Sequence, residues 1–451
     1  MIKTVISAVI AAATVSACGG GNLGSAIDPD IAVNNFAVSA VPFQHYTASN
    51  TKSTAVSFLF VRDIDNDGLE EVFVVAFDSQ PKSASNYANT AVNIFGWRHG
   101  LFQNITQQWL PNNTHMVEGV GDLCFGDFNG DKRTDVFLAA YTDMNYAVHP
   151  YALINNGSFF HRVQFQPQTW MHGVTCVDIN QDGFDDVLVT GGSNFPQYIG
   201  SANGLIPYAF TGKMGGSGIV AGDFLGNGKT QAIVIDTQIG FYNTKIDVSK
   251  DTKLYSLSVV NSTNTVVFDF VGNLPAPRLD SKFADTEKPN SSHDIRVAAM
   301  DFDRDGKLDI VVFSYRFYAP ESANIHRSEI QFLRNLGLGV FEDVTDQVRL
   351  GYDTTRMVGY FPQIKDLDGD GQLDIMISHS VQSSISGITA LMKRGTSYVD
   401  SFQKSLRQLI PSTAQAVVAR GPNGQLYVVV ENQNMQGIST IGIHQFEFNK
   451  P

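Results

Sequence analysis

A short acidic turn recurs along the chain and constrains the fold more than any other feature of the sequence. Each full copy has acidic or amide residues at its first, third and fifth positions and an acid at the ninth. A β-branched run follows, as in Asp63-Ile-Asp65-Asn-Asp67-Gly68-Leu-Glu-Glu71 before VFVVAF. Copies start at residues 63, 127, 178, 223, 301, 366 and, in a worn form, near 420. The repeat predicts an all-β chain in which copies of one unit pack against each other.

The spacing of the copies indicates the size of the repeating unit. The 451 residues leave roughly 60 for each copy, which is room for a four-stranded sheet with its loops. Residues 100–106 and 335–345 close the first and fifth copies in the same way, with Phe102-Gln-Asn104-Ile-Thr106 and Phe341-Glu-Asp343-Val-Thr345. Together these residues resemble the FG-GAP/VCBS repeats of the integrin α-subunit head, over about residues 50–445. The resemblance implies an all-β fold, a seven-bladed β-propeller of four-stranded blades with calcium-binding β-hairpin loops.

The two ends of the chain are expected to complete one blade together. Strand-like segments lie near 413–420, 425–431 and 437–448, and residues 35–44 could supply the fourth strand. We therefore interpret residues 31–451 as a single seven-bladed β-propeller whose ring is closed by both termini.

The acidic turns carry the ligands that a hard divalent cation prefers. Alternate acids place several oxygens around one point, and Gly at the sixth position permits the backbone dihedral of a tight turn. Oxygen ligands in this number are typical of Ca²⁺ sites. An EF-hand is excluded, because position twelve is apolar in the five acidic copies and lies in a strand-like run. By resemblance to the integrin-type loop, position seven gives a backbone carbonyl and position nine gives the last acid.

The five acidic turns are predicted to hold about five structural calcium ions. The ligands, turn by turn, are Asp63, Asp65, Asp67, Leu69 and Glu71; Asp127, Asn129, Asp131, Arg133 and Asp135; Asp178, Asn180, Asp182, Phe184 and Asp186; Asp301, Asp303, Asp305, Lys307 and Asp309; and Asp366, Asp368, Asp370, Gln372 and Asp374. The second turn has Lys132 where Gly belongs. The copy at 223 lacks the acids at positions three, five and nine, the copy near 420 has no acids, and neither is expected to bind an ion. The alternative is that the acidic turns are simply solvated.

The N-terminus has the organisation of an export signal. Residues 1–17 contain an apolar run from Val5 to Val15 that is too short to span a bilayer. The small residues before Cys18 resemble a bacterial lipobox, which implies a lipoprotein signal peptide over 1–17, a lipidated Cys18 and a flexible tether over 18–30. By resemblance to Gram-negative lipoproteins, Gly19 favours the outer membrane, with the lipid anchor as the only membrane contact. Ordinary secretion, with Cys18 in a flexible stub, is the alternative.

Two further cysteines, Cys124 and Cys176, lie within the repeats. An exported protein can oxidise such a pair. Cys124 lies three residues before the first acid of its turn, whereas Cys176 lies two residues before the first acid of its own. Side chains alternate along a strand, so the two cysteines are expected on opposite faces of equivalent strands. They could therefore meet between two neighbouring blades as a disulfide, and the alternative is two buried free thiols.

Composition excludes other classes of protein. Apolar residues make up 43% of the chain, which is too many for wholesale disorder. The 31 basic and 44 acidic residues give a net charge of −13, whereas a nucleic-acid-binding protein needs a basic surface. Gly228-Lys229-Thr230 resembles the end of a phosphate loop, but Asp223 stands where the first Gly belongs. Neither nucleic acid nor a nucleotide is expected as a partner.

A ligand-binding face is expected at the ends of the blades opposite the acidic turns. In related propellers the innermost strand precedes the turn, so the start of that strand opens on the other face near the axis. The residues chosen for this face are His115, Glu118, Trp170, His172, His293, Asp294, Arg316, Tyr318, Arg356 and Tyr360. Such a mixture suits a protein or glycan surface. The alternative is a solvated face without a specific ligand.

Three functions remain open, because a propeller scaffold does not decide its function. The first is a non-enzymatic, lipid-anchored module that recognises a protein or glycan ligand. The second is a polysaccharide lyase or hydrolase that uses His172, His293 or Arg356. The third is a structural subunit of an envelope complex. Titratable groups that converge in a deep axial pocket would favour the enzyme, whereas a broad shallow face would favour binding.

Overall fold

The computed structural model describes residues 31–32, 37–44, 55–78, 89–141, 147–191, 195–212, 216–235, 252–276, 278, 292–316, 327–351, 362–378, 388–400, 415–433, 438–445 and 447–448. These residues are almost entirely β-strands and turns. Helical segments include the single-turn helices α1 (Thr106–Trp109) and α2 (Thr345–Val348) and the 3₁₀ turns Asn261–Thr263 and Pro422–Gly424. None of the helices in these ranges is long and apolar enough to cross a membrane.

The first half of the chain forms three sheets, which we call A, B and C. Sheet A contains β3 (Ala55–Arg62), β4 (Glu71–Asp78), β6 (Asn93–Arg98) and β7 (Leu101–Asn104). Sheet B contains β9 (Val120–Gly126), β10 (Asp135–Ala140), β11 (Tyr151–Asn155) and β12 (Phe160–Gln164). Sheet C contains β13 (Met171–Val177), β14 (Asp186–Gly191), β15 (Gln197–Ile199), β16 (Ile206–Thr211), β17 (Gly218–Gly222), β18 (Gln231–Ile235), β19 (Thr252–Val260) and β20 (Thr265–Asn273). Its two antiparallel halves are joined by the parallel pair β16 and β20.

The second half forms sheets D, E and F. Sheet D contains β21 (Ser292–Met300), β22 (Asp309–Arg316), β23 (Arg327–Gly337) and β24 (Val340–Asp343). Sheet E contains β26 (Gln363–Lys365), β27 (Asp374–Ser378), β28 (Ile388–Arg394) and β29 (Ser397–Asp400), with β25 (Arg349–Leu350) parallel to β29. Sheet F contains β30 (Gln415–Arg420), β31 (Leu426–Gln433), β32 (Ile438–Gln445) and β2 (Ala37–Gln44). Two short pairs are β1 (Ile31–Ala32) with β33 (Glu447–Phe448) and β5 (Thr90–Ala91) with β8 (Met116–Val117).

Sheet F unites the two ends of the described chain. Strand β2 lies antiparallel to β32, with Phe43 opposite Ser439 and Pro42 opposite Thr440. The N-terminal segment thus supplies the fourth strand beside three C-terminal strands, and the predicted pairing with the last repeat is confirmed for residues 37–44, while residues 35 and 36 lie outside the described residues.

The apolar runs that follow the acidic turns become the most buried strands. Every residue of β10, β14 and β18 is buried. A sheet with one solvated face would show alternation, so continuous burial means that both faces of these strands are covered. This explains why the sequence reads as apolar runs and not as alternating residues.

Within the described residues, six apolar clusters join neighbouring sheets in chain order. Sheet A packs on B, B on C, C on D, D on E and E on F. The sixth cluster closes the series, because Val417 and Ile441 of sheet F pack with Val72 and Phe95 of sheet A. The sheets therefore follow one another around a ring, which is a propeller-like arrangement.

A disulfide joins Cys124 of β9 to Cys176 of β13, with their Cα atoms 5.6 Å apart. It links sheet B to sheet C across the apolar cluster that both sheets share. The opposite parity of the two side chains is what allows two neighbouring first strands to be connected in this way.

Candidate functional site

The acidic turns connect the strand before each turn to the buried strand after it, and the first acid organises the backbone. In five turns its Oδ2 accepts a hydrogen bond from the Gly at position six, among them Asp63 from Gly68 at 3.0 Å, Asp301 from Gly306 at 2.9 Å and Asp366 from Gly371 at 2.9 Å. Gly68, Gly306 and Gly371 have φ values of 84°, 85° and 80°. A side chain at those positions would be strained, which is why Gly recurs there.

Three of the five acidic turns bring three carboxylates together. In each, one oxygen from every member lies within 4.8 Å of the others; the groups are Asp63, Asp65 and Glu71; Asp301, Asp303 and Asp309; and Asp366, Asp368 and Asp374. Within the described part of the chain, Asp63 Oδ1 is buried and has no hydrogen-bond partner. A buried carboxylate oxygen without a donor is well suited to a cation. These three turns could therefore hold a metal ion.

The acid at position nine of the turn also accepts hydrogen bonds from the backbone of its own sheet. Asp309 is fully buried, and its oxygens accept hydrogen bonds from the backbone N–H groups of Phe302 at 3.1 Å and Asn335 at 2.8 Å. Burial raises the pKa of Asp309 to about 6, and burial likewise raises the pKa of Glu71 to about 8 and of Asp374 to about 7. Neighbouring acids of the same turn raise these pKa values further, and a cation would relieve that repulsion.

In each of these three turns, an arginine on the third strand of the same sheet contacts the acid at position three. Arg98 Nη2 lies 3.1 Å from Asp65, and its Nη1 lies 3.3 Å from Glu71. The equivalent contacts are 2.8 Å between Arg334 and Asp303 and 2.6 Å between Arg394 and Asp368. Sequence reasoning missed these arginines. A usable signal exists, since Arg occurs in that strand in the same three copies that have Asp at position three.

The second and third turns have a different arrangement. Asn129 at position three donates to Asp131 at 3.1 Å, and Asn180 donates to Asp182 at 2.9 Å. Arg133 adds a contact of 2.6 Å to Asp131. The carboxylates of these turns thus have positive or amide donors from their own turn, and among the described residues they do not form a three-carboxylate group.

The fourth turn carries an amide where the others have the ninth acid. Gln231 Oε1 accepts a hydrogen bond from the backbone N–H of Leu225 at 2.9 Å. Its Nε2 donates to Asn227 Oδ1 at 3.2 Å and to the Lys229 carbonyl at 2.6 Å. A neutral amide therefore bonds the oxygens at positions five and seven of this turn.

The opposite ends of the strands carry an aromatic group, which we call the Trp170 cluster. Its members are Tyr141, after β10, and Trp170 and His172, at the start of β13. The ring of Trp170 lies 4.0 Å from His172 and 5.8 Å from Tyr141, measured between centroids. Burial, together with the charge of Arg296, lowers the pKa of His172 to about 3. This imidazole is therefore neutral at physiological pH.

Arg296 of β21 connects four of the strands that precede acidic turns. Its Nη1 donates to the carbonyls of Ser217 at 2.6 Å and His172 at 3.3 Å, and its Nη2 lies 3.6 Å from Asp122 of β9. Beside this pair is a cavity of about 160 Å³ that is also lined by Val174, Gly218, Ile219, Val297, Ala298 and Pro362. The structure thus brings the Asp122 carboxyl, the Arg296 guanidinium and the backbone of His172, a predicted site residue, together between these strands.

The Asp122 carboxyl should make stability depend on pH. Burial raises its pKa to about 6, against an ordinary value of 3.8. The folded state therefore retains this proton between about pH 4 and 6, so the contribution to stability is full below pH 4 and is lost as pH rises through 6. We expect wild type to lose on the order of 2–3 kcal/mol more than Asp122→Asn between pH 4 and 7. Urea unfolding at constant calcium measures this difference, and parallel profiles would contradict it.

His115 and Glu118 lie in separate surroundings at the same end of the sheets. Glu118 Oε2 lies 2.7 Å from His149 Nδ1, and Gln166 Nε2 lies 2.9 Å from the other ring nitrogen. His149 was not among the residues predicted from the sequence. His115 faces Gln107, with Nδ1 3.4 Å from the amide nitrogen.

Several predicted residues cannot be placed in this face. The strands that contain His293, Asp294 and Arg316 are described, but their side chains are not. Tyr318, Arg356, Tyr360 and Cys18 lie outside the described residues.

The residues around the first three acidic turns are similar to a known repeat family. A family profile described as "FG-GAP-like repeat" matches residues 63–138 and 127–189. The chain therefore contains FG-GAP-like repeats, which agrees with the propeller-like arrangement of its sheets. No curated protein sequence matches the chain.

Solved structures resemble the chain only distantly. The Photorhabdus luminescens Tc holotoxin pore is 16% identical with a TM-score of 0.35, and the match covers 86% of this chain and 18% of that chain. A glycoside hydrolase is 9% identical with a TM-score of 0.34, and the match covers 93% of each chain. AofleA from Arthrobotrys oligospora is 9% identical with a TM-score of 0.36, and the match covers 79% of this chain and 93% of that chain. The chain thus spans less than a fifth of the toxin chain's length.

Proposed function

We propose that this protein is a calcium-stabilised, lipid-anchored propeller of the bacterial cell envelope that recognises a protein or glycan ligand. The observation that carries the proposal is the grouping of three carboxylates in each of three equivalent turns. The proposed propeller has seven blades. Sheets A, B, D, E and F are one blade each, and the two antiparallel halves of sheet C are the other two.

Calcium is the proposed ion because the turns offer only oxygen ligands and lie on β-hairpins. The first, fifth and sixth turns fit the ion best, since their carboxylates converge and Asp63 retains an oxygen without a donor among the described residues. The second and third turns complete the proposed five. Bound calcium would neutralise the repelling acids and fix the turn between two strands, which is a structural role.

The ligand is proposed to bind at the ends of the strands opposite these turns. The Trp170 cluster supports this, because aromatic rings next to a neutral imidazole suit the apolar face of a sugar or an anchoring side chain of a protein. The polar pair of Glu118 and His149 lies at the same end.

An envelope location is proposed from the N-terminal sequence. The apolar run, the small residues and Cys18 favour an exported lipoprotein, anchored in the outer membrane. The disulfide between Cys124 and Cys176 is compatible with an oxidising compartment.

A polysaccharide lyase or hydrolase is the second candidate. It is supported by the meeting of Asp122 and Arg296 beside the small cavity next to His172. An acid and a cationic group at one point are a minimum for acid/base chemistry on a polysaccharide. The low pKa of His172 counts against that residue as the general base.

A binding and turnover screen separates these candidates. The full chain, purified from the envelope in detergent, would be tested on glycan and envelope-protein arrays, with calcium and then with chelator. We expect binding without turnover that is lost with chelator. New reducing ends or unsaturated products would favour the enzyme, and Asp122→Asn and His172→Ala would then be the first variants. Binding to neither class would contradict recognition and leave a structural subunit.

A further inference from the structure

A cavity of about 460 Å³ opens beside sheet A, apart from the Trp170 cluster. Asn93 at the start of β6 lines this cavity, and a second lining residue, Gln108, accepts a hydrogen bond from Arg98 Nε at 3.3 Å at the end of that strand, so the cavity extends along β6. Its lining residues are Asn93, Gln103, Asn104, Ile105, Thr106, Gln107, Gln108 and His115. We call this cavity the amide pocket.

The backbone around the amide pocket is held in place by hydrogen bonds. Thr106 Oγ1 accepts from the backbone N–H of Ile94 at 2.9 Å, and Asn104 Oδ1 accepts from the N–H of Thr106 at 2.9 Å. The His115 carbonyl accepts from the N–H of Val92 at 2.8 Å. Behind the pocket, Trp109 and Ile105 are buried in the cluster between sheets A and B. A pocket fixed in this way loses little freedom when a ligand binds.

The lining of the amide pocket is polar and uncharged. Five of its residues are carboxamides, namely Asn93, Gln103, Asn104, Gln107 and Gln108. Among the described residues that line the pocket, His115 is the one ionisable group, and burial together with the charge of Arg162 lowers the pKa of its imidazole. Carboxamides present both donors and acceptors, as sugar hydroxyl groups do.

Sheet D contains the same structural unit with different residues. Thr345 Oγ1 accepts from the N–H of Phe332 at 2.8 Å, as Thr106 accepts from Ile94. Helix α2 follows β24 just as α1 follows β7. Three residues of the amide pocket thus have acidic counterparts here. Gln103 and Asn104 correspond to Glu342 and Asp343 of β24, and Gln107 corresponds to Asp346 of α2.

The unit in sheet D holds a side chain of the protein itself. Arg278 Nη1 lies 3.0 Å from Asp343, and its Nη2 lies 2.6 Å from Asp346. Gln331, which corresponds to Asn93, donates to Asp343 and to the Ala276 carbonyl, each at 3.0 Å. The unit therefore can receive a polar group that matches its charge. In sheet A the three acids are replaced by amides and the position opens as a cavity.

We propose that the amide pocket binds a neutral saccharide, whose hydroxyl groups pair with the carboxamides. The proposal rests on the proposed function as a recognition module and names the ligand class and the place. The exchange of three acids for three amides removes the preference for a cation. No Lys or Arg is among the described residues that line the pocket, so this lining gives no preference for phosphate, sulfate or uronate groups. The methylene groups of the exposed Gln107 and Gln108 side chains offer apolar surface for the C–H groups of a sugar.

The test compares wild type with Gln103→Ala/Gln107→Ala in the full chain with calcium. The probes are cellotriose, xylotriose and mannotriose, with trigalacturonate as the acidic control and trialanine amide as the peptide control. Titration calorimetry should detect at least one neutral trisaccharide, bound about tenfold more weakly by the double variant. Gln347→Ala, on the equivalent turn of α2, is the matched control and should bind like wild type.

The remaining outcomes overturn the inference in distinguishable ways. Trisaccharide binding could survive in the double variant but be lost in Trp170→Ala. That result would contradict the amide pocket as the binding site and would still support the proposed recognition of a glycan. Binding of trigalacturonate or trialanine amide alone would contradict the neutral-saccharide class. Binding of no probe would also overturn the inference, whereas the proposed function would fall only if the envelope-protein array were negative too.

Discussion

Calcium should raise the melting temperature of this protein by about 10 °C, and excess chelator should reverse the change. Three turns each present three carboxylates within 4.8 Å, and a folded state that alone binds an ion is stabilised by mass action. At one hundred times the dissociation constant, each site would contribute about 2.7 kcal/mol. Differential scanning calorimetry with calcium, with magnesium and with chelator measures the effect. Equal melting temperatures in all three would contradict a structural role for calcium.

A double variant in the fifth turn tests whether the acids of that turn contribute to the calcium-dependent change in melting temperature. Asp303→Asn/Asp305→Asn should reduce the calcium-dependent shift by about a fifth, because one of the five proposed sites is lost. Asp269→Asn/Glu342→Gln removes the same charge from exposed residues outside the turns and is the matched control. A full calcium shift in the turn variant would show that this turn does not bind the ion.

Loss of the disulfide should be the largest effect of any single pair of substitutions. Cys124 and Cys176 are 52 residues apart in sequence, so their bond restricts a long loop of the unfolded chain. Cys124→Ser/Cys176→Ser should lower the free energy of unfolding by about 2–4 kcal/mol. Urea unfolding of the oxidised wild type and the variant measures the change.

Reduction provides the control for that comparison. A reducing agent should destabilise wild type by a similar amount and leave the serine variant unchanged, because only wild type has the bond. Mass spectrometry of unreduced peptides should detect Cys124 linked to Cys176. A variant as stable as oxidised wild type would contradict a stabilising role for the bond.

The regular features of the fold were predictable because each is encoded locally. The acidic turns, with Asp63 or Asp301 at position one and Gly at position six, are defined by neighbours within nine residues. The β-branched runs after them predicted strands, and residues 35–44 were assigned to the last repeat by counting strands. Parity along a strand placed Cys124 and Cys176 on opposite faces, which allowed a disulfide between neighbouring blades but left two free thiols as the alternative; the structure has the disulfide.

The contacts around the candidate site were less predictable, because they join residues from different sheets. Arg296 meets Asp122 across 174 positions of the sequence only because the first strands of successive units lie side by side, and neither residue belongs to a local motif. Arg98, Arg334 and Arg394 reach their acids through the register of a third strand. Such register depends on loop lengths that periodicity does not contain.

The sequence by itself therefore determined the repeating unit, its acidic turns and the pairing of the chain ends, since these follow from residue type and spacing. Only the tertiary structure decided which turns bring three carboxylates together and that Gln103, Asn104 and Gln107 border a cavity while Asp343 and Asp346 hold Arg278. The physical reason is that a side chain's partner depends on which strands pack next to it, and that packing is a property of the whole ring.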